Sequence, residues 1–388
     1  MTLEVSARAN ELRSRGIDVF NFGVGEPDFE PPRFVLDAAK RAIDEKLASK
    51  YTAVSGIAPL KQAICAATAR SRGYTPTPDQ ITVSVGAKHA LFNIALALYE
   101  AGDEIVIPAP FWVSYPEQVR VAGGTPVIVE TLESDGWRVS PEALERSLTS
   151  KTKAVILCTP SNPTGAAYDQ RHLRLLLEVL RKHDCWIVVD EIYGELVYDG
   201  FKHVSAAAIA PDLLDRLIII DGVSKSYAMT GWRIGWSIAP RSVARACDIV
   251  QSQSTTNPSA VAQHAALAAL SGPQDEVVAM RAQFQSRRDV MVSGLNAIPG
   301  ITCRSPEGAF YAFPDCRALY GLEWGGKAIS SAEEIAFFLL ERAHVAAVPG
   351  GAFGAPGYLR LSYAMGEERI RAGLASIRAA IDSTKRLA

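Results

Sequence analysis

Residues 217–238 read LIIIDGVSKSYAMTGWRIGWSI, in which two apolar runs, Leu217–Ile220 and Trp236–Ile238, flank a polar segment. Short apolar runs rich in β-branched residues indicate strands that are buried on both faces, as in a parallel sheet. The segment between them carries one lysine, Lys225, and one arginine, Arg233. Because open α/β sheets bind ligands beyond the ends of their strands, this segment is a candidate site.

Five further apolar runs of the same kind precede this stretch, and helical patterns lie between several of them. Asp169 is a suitable N-cap for one of these helices, because a carboxylate accepts hydrogen bonds from the free N–H groups of a first turn. Alternation of strands and helices predicts an α/β fold in which helices cover both faces of a sheet. The predicted strands are Ile81–Val85, Glu104–Ile107, Pro126–Val129, Lys153–Cys158 and Trp186–Val189, and the helical patterns are Ala87–Leu98, Pro141–Leu148 and Asp169–Lys182.

The pattern changes around a long amphipathic helix predicted at Val277–Leu295, which is rich in arginine on its polar side. An extended segment, Gly308–Phe313, and two further helical patterns, Ser331–Ala343 and Glu367–Thr384, follow it. We interpret this region as a smaller α+β domain that closes over the first. The expected division is residues 35–280 for the large domain, and residues 1–34 and 281–388 for the small one.

The composition excludes several classes of protein. Among 388 residues, 40 lysines and arginines balance 42 aspartates and glutamates, and the net charge of −2 indicates no nucleic-acid or anionic-membrane surface. No apolar run approaches the roughly 18 residues that span a bilayer, and the charged N-terminus lacks the apolar stretch of a signal peptide. The six cysteines form no CxxC pair, and the six histidines have no ligand spacing. We therefore expect a cytoplasmic protein with reduced thiols and no metal site.

Polar residues follow four of the predicted strands. Asp190 ends an apolar run, where a carboxylate is costly unless something positive pairs with it. Spacing alone leaves two arrangements open: a salt bridge between Asp190 and Lys225, or a Schiff-base lysine with the aspartate beneath a pyridinium nitrogen. Near Gly86, small residues before a helix N-terminus let an anion approach the backbone. The four segments are Ser84–Lys88, Ser161–Gly165, Val189–Tyr193 and Asp221–Lys225.

Eight short motifs, in order along nearly the whole chain, resemble the pyridoxal-phosphate-dependent class I aminotransferases of fold type I. The resemblance is closest to the bacterial aspartate aminotransferase subgroup. It implies an α/β fold: a large domain with a mostly parallel seven-stranded sheet sandwiched by helices, and a smaller α+β domain. The motifs are GEPDF (25–29), KYTAVSG (50–56), PFWVSYP (110–116), SNPTG (161–165), VVDEIY (188–193), VSKSYAMTGWRIG (223–235), GAFYAF (308–313) and YLRLSYA (358–364).

The resemblance implies that pyridoxal 5′-phosphate is the cofactor. Lys225 would form a Schiff base with it and later move a proton at the substrate Cα. Asp190 would pair with the pyridine nitrogen, and Tyr193 and Asn162 would hydrogen-bond the phenolic oxygen. The remaining implied contacts are stacking by Trp112, a phosphate cup of Gly86, Ala87, Lys88, Ser224 and Arg233, and a contact to the phosphate from Tyr51 of a neighbouring subunit.

A contact from a neighbouring subunit implies a homodimer with shared active sites. Arg360 would bind the substrate α-carboxylate bidentately, and Gly25 would let the N-terminal loop pass close to it. Lys88 would bind the distal carboxylate of aspartate or glutamate. A lysine in a first helical turn opposes the helix macrodipole, which favours a functional reason for its position. Trp112 and Asn162 would also line the substrate site.

The implied activity is ping-pong transfer of an amino group between an L-amino acid, aspartate or glutamate, and a 2-oxo acid, 2-oxoglutarate or oxaloacetate. Alternatives are an aromatic or prephenate-type aminotransferase, or a β-lyase, decarboxylase or oxidase on the same scaffold. A non-catalytic effector-binding protein is a further alternative, which an intact Lys225 disfavours. Relatives usually carry a longer N-terminal arm before Val5, with Thr2 near a position used around the substrate. This difference leaves closure and side-chain selectivity open.

Overall fold

The computed structural model describes residues 2–387, with side chains from residue 7 onward. In chain order, the strands of its central sheet are β1 (Ile81–Val85), β2 (Glu104–Pro108), β3 (Thr125–Val129), β4 (Thr152–Cys158), β5 (Trp186–Asp190), β6 (Leu217–Gly222) and β7 (Ile234–Ile238). Their spatial order is β1-β7-β6-β5-β4-β2-β3, and all are parallel to their neighbours except β7, which is antiparallel to both β1 and β6. The predicted mostly parallel seven-stranded sheet is therefore confirmed.

Helices cover both faces of this sheet. Because successive side chains of a strand point to opposite faces, Ile187 and Val189 pack in one apolar core and Val188 packs in another. Asp169 caps one covering helix as predicted, since its carboxylate accepts from the His172 backbone N–H at 2.8 Å. One face carries the helices Ala87–Leu98, Ser114–Val121 and Arg241–Ser254, and the other carries Arg33–Asp44, Ala58–Arg72, Pro141–Ser147, Gln170–Leu180, Ala206–Ile209 and Ala260–Ser271.

A third apolar core joins the N-terminal segment to residues 280–381, and the segment 192–198 that follows β5 also contributes to it. Phe22, Phe284, Phe310 and Tyr363 are fully buried there. A three-stranded sheet and several helices surround it. The division at residues 35 and 280 stays a prediction, since one helix runs straight through residue 280. The elements of this region are the helices Thr2–Ser14, Asp275–Asn296, Ala332–Arg342 and Glu367–Asp382, and the strands Phe20–Asn21, Tyr311–Ala312, Glu323–Trp324, Lys327–Ala328, Val345–Ala346, Val348–Pro349 and Leu359–Ser362.

The helix Asp275–Asn296 differs from its prediction in one respect: Arg287 and Arg288 are buried rather than on a solvated polar face. Arg287 donates to Asp28 at 2.6 Å, and Arg288 donates to Asp199 at 2.6 Å. Carboxylates supplied by distant segments make this burial tolerable, because a buried guanidinium must be paired. The Arg287 contact fixes the loop that begins at Gly25.

The register of the sheet positions the candidate site. Cys158 at the end of β4 pairs with Asp190 at the end of β5, which in turn pairs with Ile220 of β6. Since β7 runs antiparallel, its first residue, Ile234, lies beside Val85, the last residue of β1. One edge of the sheet therefore collects the ends of β1, β4, β5 and β6 and the start of β7. Among residues 2–387, none of the helices combines the length and apolarity needed to cross a membrane.

Candidate active site

A cavity of about 480 Å³ lies at this edge of the sheet. The sheet supplies one wall, and the loop around Gly25 together with Tyr311, Phe353 and Arg360 supplies the other. Eleven of the residues predicted from sequence line the cavity: Gly25, Ala87, Lys88, Trp112, Asn162, Asp190, Tyr193, Ser224, Lys225, Arg233 and Arg360.

The half-buried Lys225 lines the cavity, and its amine donates to the carbonyl oxygen of Gly25 at 2.6 Å. Burial lowers the pKa of Lys225 to about 8, and the positive charges of Arg360 and Arg233 act in the same direction. Among the described residues, the ion pairs do not include one between Lys225 and Asp190. The simple salt bridge that the spacing left open is therefore not formed, and the amine is free to react.

The Asp190 carboxylate lies fully inside the same cavity. It accepts from the Tyr115 hydroxyl at 2.6 Å and from the Ile192 backbone N–H at 3.2 Å. Burial raises the pKa of Asp190 to about 6, although both hydrogen bonds oppose this by stabilising the ionised form. Within the described part of the chain, Asp190 has no cationic partner in an ion pair. A buried carboxylate of this kind fits a ligand that brings a positive charge.

An anion-binding cup lies where β1 meets the helix Ala87–Leu98. Gly86 has φ 83°, and a Cβ there would lie 2.6 Å from a guanidinium nitrogen of Arg233, so only glycine fits. Arg233 donates to the Thr230 carbonyl at 2.9 Å and, in the part of the chain that the structure describes, pairs with no carboxylate. The helix N-terminus, the Ser224 side chain and this guanidinium together suit a phosphate group. Gly86 forms the floor beneath Arg233 rather than lining the cavity.

The Arg360 guanidinium lies on the opposite side of the cavity between two aromatic rings. Its centre is 4.6 Å from the Tyr311 ring centroid and 5.1 Å from that of Phe353. It donates to the Asn162 side-chain oxygen and the Gly23 carbonyl, both at 2.9 Å, and its Nε has no partner. A buried guanidinium with an unpartnered N–H and only neutral acceptors fits an incoming carboxylate.

Lys88 and Trp112 lie together at the exposed mouth of the cavity. The Lys88 ammonium is 4.9 Å from the Trp112 ring centroid, close enough for a cation–π contact. The Trp112 ring meets Tyr115 edge to face, with centroids 5.4 Å apart. This arrangement presents a flat aromatic surface beside one exposed positive charge.

Tyr51, like Gly86, is a predicted cofactor contact that does not line the cavity. Its side chain is 89% exposed. This position is the expected one for a residue that serves another subunit's site, and the contact stays a prediction. The side chains of residues 2–6, including Thr2 near the expected substrate position, lie outside the described residues.

Sequence reasoning missed two tyrosines that contact predicted residues. Tyr115 binds Asp190, and the Tyr311 hydroxyl lies 2.9 Å from that of Tyr193. Tyr115 follows Trp112 by three residues, a spacing that places both on one side of a helical turn and could have signalled a shared role. Further lining residues outside the prediction are Val24, Glu26, Val113, Cys158, Ile192, Thr230, Tyr311 and Phe353. No metal-holding group of histidine, cysteine or carboxylate side chains was found among the described residues.

Comparison with known proteins places this geometry in a family. The sequence model of the family described as aminotransferase class I and II matches residues 17–377. An aspartate/prephenate aminotransferase of Cereibacter sphaeroides is 48% identical over 97% of this chain and 95% of its own, and an aspartate aminotransferase of Geobacillus stearothermophilus is 47% identical over 94% and 91%. The chain therefore belongs to the class I and II aminotransferases.

Solved structures agree with this assignment. The aspartate aminotransferase of Rhizobium meliloti superposes with a TM-score of 0.95 at 45% identity, covering 99% of this chain and 96% of that one. The Thermus thermophilus aspartate aminotransferase with maleate gives a TM-score of 0.91 at 40% identity, covering 98% and 96%. The expected fold class is confirmed, and the protein is an enzyme that transfers amino groups.

Proposed function

We propose that this aminotransferase uses pyridoxal 5′-phosphate to exchange amino groups between aspartate or glutamate and the corresponding 2-oxo acids in a ping-pong cycle. The observation that carries the proposal is that Lys225 and Asp190 line one buried cavity without forming a salt bridge with each other. Keeping a buried amine and a buried carboxylate apart costs folding free energy, which a ligand that engages both would offset.

The cavity offers a partner for each polar part of this cofactor. When bound, pyridoxal 5′-phosphate supplies an electron-accepting ring that stabilises negative charge at the Cα of the amino acid. Asp190 would hold the ring nitrogen, Lys225 would bind the aldehyde carbon, and Trp112 would lie against the ring face. Tyr193 and Asn162 would donate to the phenolic oxygen. The phosphate would occupy the cup of Ala87 and Lys88 backbone N–H groups, Gly86, Ser224 and Arg233, with Tyr51 reaching it from a second subunit.

Lys225 is suited to hold and release the proton at the substrate Cα. With a pKa near 8, a useful fraction of the amine is neutral at neutral pH, as a base must be. The Gly25 carbonyl accepts a hydrogen bond from Nζ and so gives the amine a defined resting position. The small Gly25 also lets its loop pass close to the cavity, because a Cβ there would lie 3.1 Å from the Tyr311 hydroxyl.

Arg360 would orient the amino acid through its α-carboxylate. The rings of Tyr311 and Phe353 fix the plane of the guanidinium, and the bonds to Asn162 and Gly23 fix its direction. A planar, pre-oriented donor pair matches both oxygens of a carboxylate. Binding at this point would set the Cα between Arg360 and Lys225.

Lys88 is the proposed selector for dicarboxylic substrates. Lys88→Ala should raise KM for aspartate about tenfold, because the distal carboxylate loses a charged partner, and should leave KM for phenylalanine within about twofold. Steady-state kinetics with both amino acids would measure this. Lys88→Arg is the matched control, since it keeps the charge and should retain most of the preference. Equal effects on the two substrates would remove Lys88 from the selection.

A second candidate activity is transfer to prephenate or an aromatic 2-oxo acid. It is favoured by the name of the Cereibacter sphaeroides relative, an aspartate/prephenate aminotransferase. The aromatic pair Tyr311 and Phe353 beside Arg360 also offers apolar surface to a ring.

Titration of the purified holoenzyme with single amino acids tests the proposed function. Aspartate and glutamate should remove the visible absorbance band of the bound cofactor, and 2-oxoglutarate should restore it. Aromatic amino acids with prephenate as acceptor would give the same cycle for the second candidate. If none of these substrates changed the band while another amino acid did, the proposed specificity for aspartate and glutamate would be wrong.

We further propose a homodimer in which a second copy covers an apolar groove next to the cavity. The groove has a volume of about 630 Å³ and is lined by Phe92, Val113 and Val121, next to Lys88 and Arg233. Its position beside the phosphate cup fits the prediction that Tyr51 reaches the cup from a second subunit. Sedimentation should give about twice the mass of one chain, and a monomer that still binds the cofactor at full affinity would contradict this.

The proposed division into a cofactor-binding unit, 35–280, and a closing unit, 1–34 and 281–388, is supported by the apolar cores: two lie on the faces of the central sheet, and most members of the third come from residues 9–22 and 284–381. The cavity takes Gly25 and Arg360 from the second unit and Asp190 and Lys225 from the first. Movement between the units would open and close it. The proposed cytoplasmic location is supported by six free cysteines, four of which are buried.

A further inference from the structure

The Asp190 carboxylate is held by two donors, one on each oxygen. The Ile192 backbone N–H donates to Oδ1 at 3.2 Å, and the Tyr115 hydroxyl donates to Oδ2 at 2.6 Å. Hydrogen bonds to both oxygens fix the orientation of the carboxylate plane and also favour the ionised form of the carboxylate. Among the described residues, the Tyr115 phenol is the single side chain that donates to Asp190. We propose that Tyr115 is a positioning residue that keeps Asp190 ionised and aimed at the ring nitrogen of the cofactor, an inference that rests on the proposed function.

The phenol is a dependable donor. Burial raises the pKa of Tyr115 well above its usual value, and the negative charge of Asp190 raises it further. The hydroxyl therefore stays protonated at every pH used for assay. Its ring is fixed by the edge-to-face contact with Trp112, and its backbone N–H donates to the Trp112 carbonyl at 3.0 Å. One short segment thus holds both the aromatic surface and the partner of Asp190.

The other titratable groups that face Asp190 do not substitute for the phenol. Burial raises the pKa of the Cys158 thiol, on β4, to about 12, so this group stays neutral. Glu191 and Asp221 are carboxylates, and both lie near the guanidinium of Arg72, at 3.6 and 2.9 Å. The influence of these two carboxylates raises the pKa of Asp190. The amine of Lys225 binds the Gly25 carbonyl instead.

Loss of the phenol would act through Asp190. The hydrogen bond favours the ionised carboxylate, so its removal would raise the pKa of Asp190 above about 6. A protonated Asp190 no longer pairs with a protonated ring nitrogen, and cofactor affinity would fall as pH drops through the raised pKa. The loss would be smaller at high pH, where Asp190 ionises even without the phenol.

Tyr115→Phe, which keeps the ring and removes only the hydroxyl, tests this inference. Binding of pyridoxal 5′-phosphate to the enzyme without bound cofactor is measured by fluorescence titration from pH 5.5 to 9, with no amino acid present. Affinity at pH 6.5 should fall about tenfold or more, and the acid-side midpoint of binding should move up by about one pH unit. Tyr168→Phe is the matched control: it is another buried phenol, and it accepts from the Val139 backbone outside the cavity.

The same substitution in an Asp190→Asn background separates positioning from packing. If Tyr115 acts through Asp190, Tyr115→Phe should change affinity less than about twofold there, and the midpoint should not move. A tenfold loss in both backgrounds, or an unchanged midpoint in the single variant, would overturn the inference. Failure of the wild-type enzyme to bind pyridoxal 5′-phosphate would instead refute the proposed function, so the two outcomes are distinguishable.

Discussion

Replacing Lys225 with alanine should lower kcat by about 10⁴-fold or more, because in the proposed function the same amine binds the cofactor and moves the proton at the substrate Cα. Lys225→Arg should be almost as damaging. A guanidinium keeps the positive charge but does not release its proton at neutral pH, whereas burial lowers the pKa of Lys225 to about 8. Single-turnover mixing of each holoenzyme with aspartate would measure the loss.

The matched control is Lys202→Ala, an exposed lysine outside the cavity, which should keep full activity. The visible absorbance of the bound cofactor should also change in both Lys225 variants, since the covalent attachment is lost. In the wild-type chain, the rate of covalent attachment should rise through about pH 8 as the amine loses its proton. Retention of more than about 1% of kcat in Lys225→Ala would assign the proton transfer to another base.

Part of this site could be predicted from sequence because it follows directly from the strand pattern. Asp190 and Lys225 come just after apolar runs, and the ends of parallel strands meet at one edge of a sheet. The sequence does not decide whether Asp190 and Lys225 pair with each other, because a salt bridge and a cofactor site place the same residues at the same spacing. The structure decides between them: among the described residues, Lys225 and Asp190 form no ion pair with each other, and Nζ donates to the Gly25 carbonyl.

Contacts between distant segments could not be predicted in this way. The phenol of Tyr115 and the carboxylate of Asp190 are 75 residues apart, and Arg287 and Asp28 are 259 apart. From the sequence alone, Tyr115 cannot be distinguished from any core aromatic residue, and Arg287 cannot be distinguished from a solvated residue of a helix. Whether such a side chain is buried and paired depends on which segment packs against it, and a local pattern carries no such information.

The proposed contact of Tyr51 with a second subunit follows neither from the local sequence pattern nor from the structure of one chain. Its ring is exposed in a single chain, so neither a local pattern nor the packing within one chain defines its partner. The order of motifs along the chain was the only signal for it. A residue that serves a second subunit can be predicted from resemblance to a family, but not from the geometry of a single chain.

Arg360→Lys should lower kcat/KM about 100-fold or more for aspartate and phenylalanine alike, because every amino acid presents the same α-carboxylate. A lysine ammonium keeps the charge but does not match both carboxylate oxygens while also bonding to Asn162 and Gly23. Cofactor affinity should stay within about threefold, since Arg360 itself is not among the proposed cofactor contacts and meets them only through Asn162. Steady-state kinetics and a cofactor titration would separate the two effects.

Arg288→Lys is the control for arginine-to-lysine exchange at a buried site, since Arg288 pairs with Asp199 outside the cavity. This substitution should lower the free energy of unfolding and leave the ratio of kcat/KM between the two substrates unchanged. In the proposed binding mode, Arg360→Lys and Lys88→Ala act on different carboxylates of one substrate, so their effects on aspartate should be additive in free energy. Phenylalanine lacks the distal carboxylate and should respond to Arg360→Lys alone. A loss confined to aspartate in Arg360→Lys would mean that Arg360 binds the distal carboxylate and that another group binds the α-carboxylate.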